Sequence, residues 1–114
     1  MEKELSIRWA ENGAIKQARL SLGEVCSCIC TIYHNGRARI MMVDSVETME
    51  KYRDQGYGQK LMEEAIAFAK THDVDSIELV VNQDNAAAIH LYEKAGFKRA
   101  DKFFYRLILN AWQT

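Results

Sequence analysis

The residues best suited to chemistry fall in one short stretch, Tyr52-Arg53-Asp54-Gln55-Gly56-Tyr57-Gly58-Gln59, which leads from an apolar segment into the run Lys60–Lys70. In that run Leu61, Ala65, Ile66, Phe68 and Ala69 recur at near-helical spacing, and Lys60, Glu63, Glu64 and Lys70 fill the other face. A glycine-bearing turn at a helix N-terminus presents backbone N–H groups that have no acceptor inside the helix. Gly56 and Gly58 lack a Cβ, so an oxygen ligand can approach the backbone closely. The helix dipole adds partial positive charge there, and Arg53 adds a full charge. Such a junction can hold a phosphate or pyrophosphate, although it also reads as a plain tight turn. It is neither a Walker loop nor a dinucleotide fingerprint: no Gly-Lys-Ser/Thr follows Gly58, and no third glycine stands at Leu61 or Met62.

The remaining reactive side chains carry weaker signals. Cys26, Cys28 and Cys30 alternate along one strand face. A metal site draws ligands from several elements, so buried reduced thiols are the better reading, and no metal is expected. His34 lies beside a turn, His72 lies in a connector, and His90 reads as a solvated helical histidine.

These residues need a scaffold to position them. At 114 residues the chain is expected to form a single domain over 1–114. Its net charge of −1 offers no basic field for nucleic acid. No apolar run is long enough to span a membrane, and Met1-Glu2-Lys3-Glu4 does not open a signal peptide. With three cysteines, an odd number, the composition suits a reducing cytoplasmic compartment.

Along the chain, Leu5–Ala10 alternates as a strand and Asn12-Gly13 marks a hairpin. Residues 14–22 read either as a strand, with Ala14, Ala18, Leu20 and Leu22 on one face beside an anomalous Lys16, or as a short helix. Gly23-Glu24 is a turn, Val25–Tyr33 a strand, Asn35-Gly36 a second hairpin, and Arg37–Thr48 a fourth strand. The helix at Lys60–Lys70 follows. Ser76–Val81 is a strand whose apolar end suggests burial on both faces. Asn85 is a good N-cap for a helix over Ala86–Lys94, Gly96 ends that helix, and Phe97–Asn110 alternates as a last strand. The fold class is therefore α/β with a mixed sheet: an antiparallel four-stranded meander, then helix, strand, helix, strand. A right-handed crossover makes the fourth and fifth strands parallel. An exposed edge at the first or last strand would favour a homodimer.

The stretch Asn85-Ala86-Ala87-Ala88-Ile89-His90-Leu91-Tyr92-Glu93-Lys94-Ala95-Gly96-Phe97 closely resembles the second signature of the GNAT N-acetyltransferase superfamily. Arg53-Asp54-Gln55-Gly56-Tyr57-Gly58 resembles the first, Gln/Arg-x-x-Gly-x-Gly/Ala. The two are separated by one helix and one strand, as in that family, and the resemblance covers about Val43 to Phe104. The second motif looks most like that of members acetylating protein N-termini.

The resemblance implies an acyl-CoA N-acyltransferase fold with a splayed fourth and fifth strand. Acetyl-CoA would lie in the gap as co-substrate, and an amine acceptor would be the second partner. Backbone groups of Val46, Glu47 and Thr48 would pair with the pantetheine arm, as an added strand would. The N–H groups from Asp54 to Gln59, including Gln55, Gly56, Tyr57 and Gly58, would hold the pyrophosphate beside Arg53. Asn85 would touch the pantetheine near sulfur, and Tyr92 would protonate the departing thiolate. Tyr92 on a short helix also reads as core, and Lys60, Lys94, Lys98 and Arg99 read either as 3′-phosphate contacts or as ordinary surface charges.

This chain departs from the family in two ways. Val80 stands where N-terminal-acetylating relatives carry a glutamate on the fifth strand, which leaves Glu47 or Asp44 as base. Period two places those two on opposite faces, and Glu47, nearer the splay, is the preferred one. The usual helices between strands one and two are also missing, replaced by Asn12-Gly13. A CoA-binding regulatory module without transfer activity is the alternative reading.

Overall fold

A computed structural model describes residues 4–12 and 15–110. Five strands form one sheet in the order β1-β2-β3-β4-β5. They span Leu5–Asn12 (β1), Ile15–Leu22 (β2), Cys26–His34 (β3), Arg39–Thr48 (β4) and Ser76–Glu78 (β5). Helix α1, Tyr57–Thr71, lies between β4 and β5, and α2, Ala86–Lys94, follows β5. Residues 15–22, ambiguous in sequence, form a strand that buries Ala18, Leu20 and Leu22. β1 and β2 pair from Leu5↔Leu22 to Asn12↔Ile15. Gly13 and Ala14, the rest of the hairpin expected there, lie outside the described residues.

The core has one layer of helix against one face of the sheet. Ala18, Leu20 and Leu22 on β2, Cys26, Cys28, Cys30 and Ile32 on β3, and Met41 and Val43 on β4 meet Leu61, Met62, Ala65, Phe68 and Ala69 of α1. The three cysteines are free and buried, as their alternation implied. On the other face Ser27, Ile29, Thr31 and Tyr33 are only half-buried. Among the described residues no helix covers that face.

The β4–β5 pair is pinned at one end and open at the other. Asp75 N donates to Arg39 O at 2.7 Å, Arg39 N donates to Asp75 Oδ2 at 2.8 Å, and Arg39 Nε donates to His72 O at 2.9 Å. Parallel pairing then runs only through Ile40↔Ser76, Met41↔Ile77 and Met42↔Glu78. β5 is thus shorter than the sequence suggested, and Val80 is 64% exposed instead of buried on both faces.

A bulge accompanies the opening. β3 pairs Ile29 with Asp44 and Ser27 with Glu47, so Ser45 and Val46 oppose the single residue Cys28. Ser45 takes up the extra residue with φ of 51°. Paired residues share a face, and Ser27 and Ile29 lie two apart. Asp44 and Glu47 therefore project on the same face of the sheet, which corrects the expectation from period two.

The expected last strand is also absent from the sheet. Phe97 to Asn110 contains no strand, and residues 98–110 are exposed throughout. Its alternation is strand-like, but a strand needs a paired edge, and none meets it among the described residues. Leu61→Ala, which hollows the contact between α1 and the sheet, should cost about 2–5 kcal/mol, read as a lowered midpoint in urea unfolding.

Candidate active site

One cleft of about 1150 Å³ opens at the end of β4, between the start of α1 and α2. It brings together Val46, Glu47 and Thr48 from β4, Arg53, Asp54, Gly56, Tyr57, Gly58 and Gln59 from the turn and first turn of α1, and Asn85 and Tyr92 from α2. Of the residues singled out from sequence for the cofactor, only Gln55 stands outside the lining; its Nε2 donates to Lys51 O at 3.2 Å.

The turn is built by left-handed backbone. Asp54 has φ of 62° and Gly56 φ of 85°. Gly56 is the N-cap of α1, and the first intrahelical donor is Lys60 N, to Gly56 O at 3.1 Å. The N–H groups of Tyr57, Gly58 and Gln59 therefore have no intrahelical acceptor, and all three residues line the cleft. Arg53 is tied to the end of β4, its Nε donating to Thr48 O at 3.2 Å.

The two glycines have different reasons. A Cβ on Gly56 would meet nothing within 4 Å, so Gly56 serves the left-handed conformation. A Cβ on Gly58 would lie 3.2 Å from Leu91 Cδ2. Gly58 thus also lets α2 pack onto the start of α1, a contact not expected from the sequence.

That packing carries α2 into the site. Asn85 caps the helix, its Oδ1 accepting from Ala88 N at 3.2 Å, which leaves its Nδ2 for the cleft. Tyr92 is buried with its ring edge-on to Phe97, centroids 6.0 Å apart. Burial, and secondarily the charge of Cys28, push its phenol above the ordinary value of 10.0. Tyr92 therefore holds its proton at neutral pH. Beneath it, the Sγ atoms of Cys28 and Cys30 lie 3.9 Å apart, and this contact lowers Cys28 and raises Cys30.

Both carboxylates considered as base, Asp44 and Glu47, are exposed on the uncovered face, and only Glu47 lines the cleft. Lys60 pairs with Glu64 at 3.2 Å, whereas Lys94 and His90 border the cleft. Sequence reasoning missed one wall, formed by Gly23, Glu24, Val25, Cys26 and Ser27. It had registered Gly23-Glu24 only as a turn. The available signal was strand pairing, which sets Cys26 opposite Thr48 and Ser27 opposite Glu47. Among the described residues, no group of three or more His, Cys, Asp or Glu side chains is placed to hold a metal ion. No helix among them is long and apolar enough to cross a membrane.

Residues 2–97 match the family model described as "Acetyltransferase (GNAT) family". The chain belongs to the GNAT family. It is 33% identical over 97 residues to N-alpha-acetyltransferase 30 of Xenopus laevis, an alignment covering 78% of this chain and 33% of that protein. With the Schizosaccharomyces pombe protein of the same name it shares 32% identity over 77 residues, covering 68% of this chain and 51% of the relative. The chain thus spans between a third and about half of these relatives' length. Among solved structures, a transcriptional regulator from Bacillus halodurans C-125 superposes with a TM-score of 0.71 at 23% identity, covering 86% of this chain and 69% of that one. Glucosamine-6-phosphate N-acetyltransferase from Arabidopsis thaliana gives 0.65 at 14%, covering 82% and 67%. These place the sheet, its parallel β4–β5 pair and the two helices in the acyl-CoA N-acyltransferase fold.

Two outcomes follow from this geometry. Gly56→Ala should destabilise the fold by about 1–2 kcal/mol, the cost of a left-handed side chain, measured by chemical denaturation. The raised folded value of Tyr92 contributes stability that is full below its ordinary value near 10 and is lost as pH climbs through the folded value. Thermal melts in alkali should therefore fall less steeply for Tyr92→Phe than for the parent chain.

Proposed function

We propose that this chain transfers an acetyl group from acetyl-CoA to a primary amine, with the N-terminal amine of a protein or peptide as acceptor. The observation that carries the reading is the convergence of the glycine turn, the end of β4 beyond its pairing with β5, and Tyr92 on one cleft. At about 1150 Å³ the cleft exceeds the roughly 300–1,000 Å³ of ordinary small-molecule sites. It has room for an elongated cofactor and part of an acceptor. The name of the curated relatives supports an α-amine, and the sheet face without covering helices suits a macromolecular acceptor. The free cysteines support action in the cytoplasm.

In this reading the N–H groups of Tyr57, Gly58 and Gln59, with Arg53, hold the pyrophosphate. The edge of β4 from Val46 to Thr48, which among the described residues has no partner strand on its β5 side, takes the pantetheine arm as an added strand. The Asn85 amide fixes that arm near sulfur. The neutral amine attacks the thioester carbonyl and the C–S bond breaks. The nitrogen's proton passes to Glu47, directly or through water, and the thiolate takes the phenolic proton of Tyr92. Most of the acceleration comes from orienting the two reactants.

Acetyl-CoA should raise the melting temperature, as any ligand that binds only the folded state does. With a panel of peptides and small amines, thiol release should appear with peptides bearing a free α-amine. Tyr92→Phe should lower kcat by about 10²-fold or more with acetyl-CoA affinity retained. Absence of a thermal shift at saturating acetyl-CoA would overturn the cofactor assignment. A shift without thiol release across the panel would instead favour a CoA-binding regulatory module.

A further inference from the structure

The face of the sheet away from the helices carries an ordered pattern of charge. Strand pairing sets its side chains in rows that run across the strands. One row is Ser6, Ser21, Ser27 and Glu47, and the next is Arg8, Arg19, Ile29 and Asp44. Both rows end in a carboxylate on β4, whereas the second begins with two arginines on β1 and β2. Ser21, Ser27 and Glu47 also line the cleft, so the rows lead away from the site. All four charged side chains are exposed.

Stability does not explain the arginines. Arg8 and Arg19 stand directly opposite each other in the β1–β2 ladder, and like charges so placed weaken the pairing of two strands. Among the described residues neither guanidinium pairs with a carboxylate. Arg19 instead leans along the face toward the cleft, its Nη1 donating to Ser27 Oγ at 3.4 Å. Its remaining N–H groups, and those of Arg8, are suited to the two oxygens of a carboxylate.

We infer that Arg8 and Arg19 form an anion subsite for the acceptor, selecting a peptide with an acidic side chain at its third or fourth residue. The inference rests on the acetyl-transfer reading above and names the acceptor class for it. The α-ammonium enters at Glu47, beside Asp44, and the peptide crosses the face toward β1. Strands lie roughly 4.8 Å apart, which puts Arg19 on β2 about 10 Å from Glu47 and Arg8 about 14 Å away. An extended peptide advances about 3.3–3.6 Å per residue, so its fourth residue reaches β2. The lean of Arg19 toward Ser27 brings the third within a side chain's reach. Ile29, between the charged ends of its row, offers apolar surface to what lies between. Charge then matches at both ends, and a basic third or fourth residue is repelled.

Peptides that share a free α-amine and differ only at residues three and four, as Glu-Glu, Gln-Gln or Lys-Lys, test this. Two readouts are taken in the presence of acetyl-CoA: thiol release, and fluorescence anisotropy of the same peptides labelled at the C-terminus. The parent chain should favour Glu-Glu over Gln-Gln by about fivefold in kcat/KM, the difference lying in KM. Lys-Lys should rank last, and the spread should shrink at high salt. Arg8→Gln combined with Arg19→Gln should bring the ratio of Glu-Glu to Gln-Gln to one. Arg8→Glu combined with Arg19→Glu should invert the order so that Lys-Lys leads, a reversal that a merely loosened sheet does not produce. No preference of the parent chain in either readout overturns the subsite, whatever the level of thiol release, and needs no variant to fold. A preference that survives both double variants overturns it as well. Preferential binding of Glu-Glu without thiol release from any peptide keeps the arginine subsite and overturns acetyl transfer instead.

Discussion

Neighbouring strands ordinarily stay paired along their length, because a backbone N–H or C=O removed from water without a partner costs as much as a lost hydrogen bond. In this protein the pairing of β4 with β5 stops after three residues, and the cleft depends on that interruption. The contacts between Arg39 and Asp75 hold the pair shut at one end. At the other, the extra residue at Ser45 and Val46 bends β4 while it remains paired with β3. The backbone groups freed on the β5 side of β4 are a demand that a ligand can meet. That is why an elongated molecule with its own amides suits this gap better than a compact one.

The two helices meet the remaining needs. α1 buries one face against β2, β3 and β4, and its N-terminus is held at the mouth of the gap by the left-handed turn ending at Gly56. α2 rests on α1 at Gly58, where no side chain larger than hydrogen fits without displacing Leu91. The same contact sets Tyr92 into the core layer beside Phe97 and the β3 thiols. A phenol in that position stays protonated through neutral pH because burial disfavours its anion. The free N–H groups of α1 and the phenol of α2 thus sit on different helices but rest on one packing contact.

Much of this could be read along the chain. The helix periodicity of residues 61–69, the N-cap at Asn85 and the alternation in β2 and β3 are local signals, each set by which side chains must leave water. Of the residues expected from sequence to meet a cofactor, the cleft unites all but one. Gln55 was the exception, because its side chain turns back to Lys51.

Tertiary structure decided what local pattern could not express. A one-residue bulge is invisible to a period-two count, yet it moves Glu47 onto the face shared with Asp44. Gly58 also meets Leu91, more than thirty residues away, a contact its neighbours in sequence could not show. The wall at Gly23–Ser27 follows from the register of β3 against β4. The segment 97–110 carries the alternation of a strand, but a strand is a pairing between chains of backbone, and its own sequence holds only half of that relation. Composition and periodicity determined which residues prefer burial and in which local form; which edges meet, and where they part to leave a site, was settled by hydrogen bonding between stretches distant in the chain.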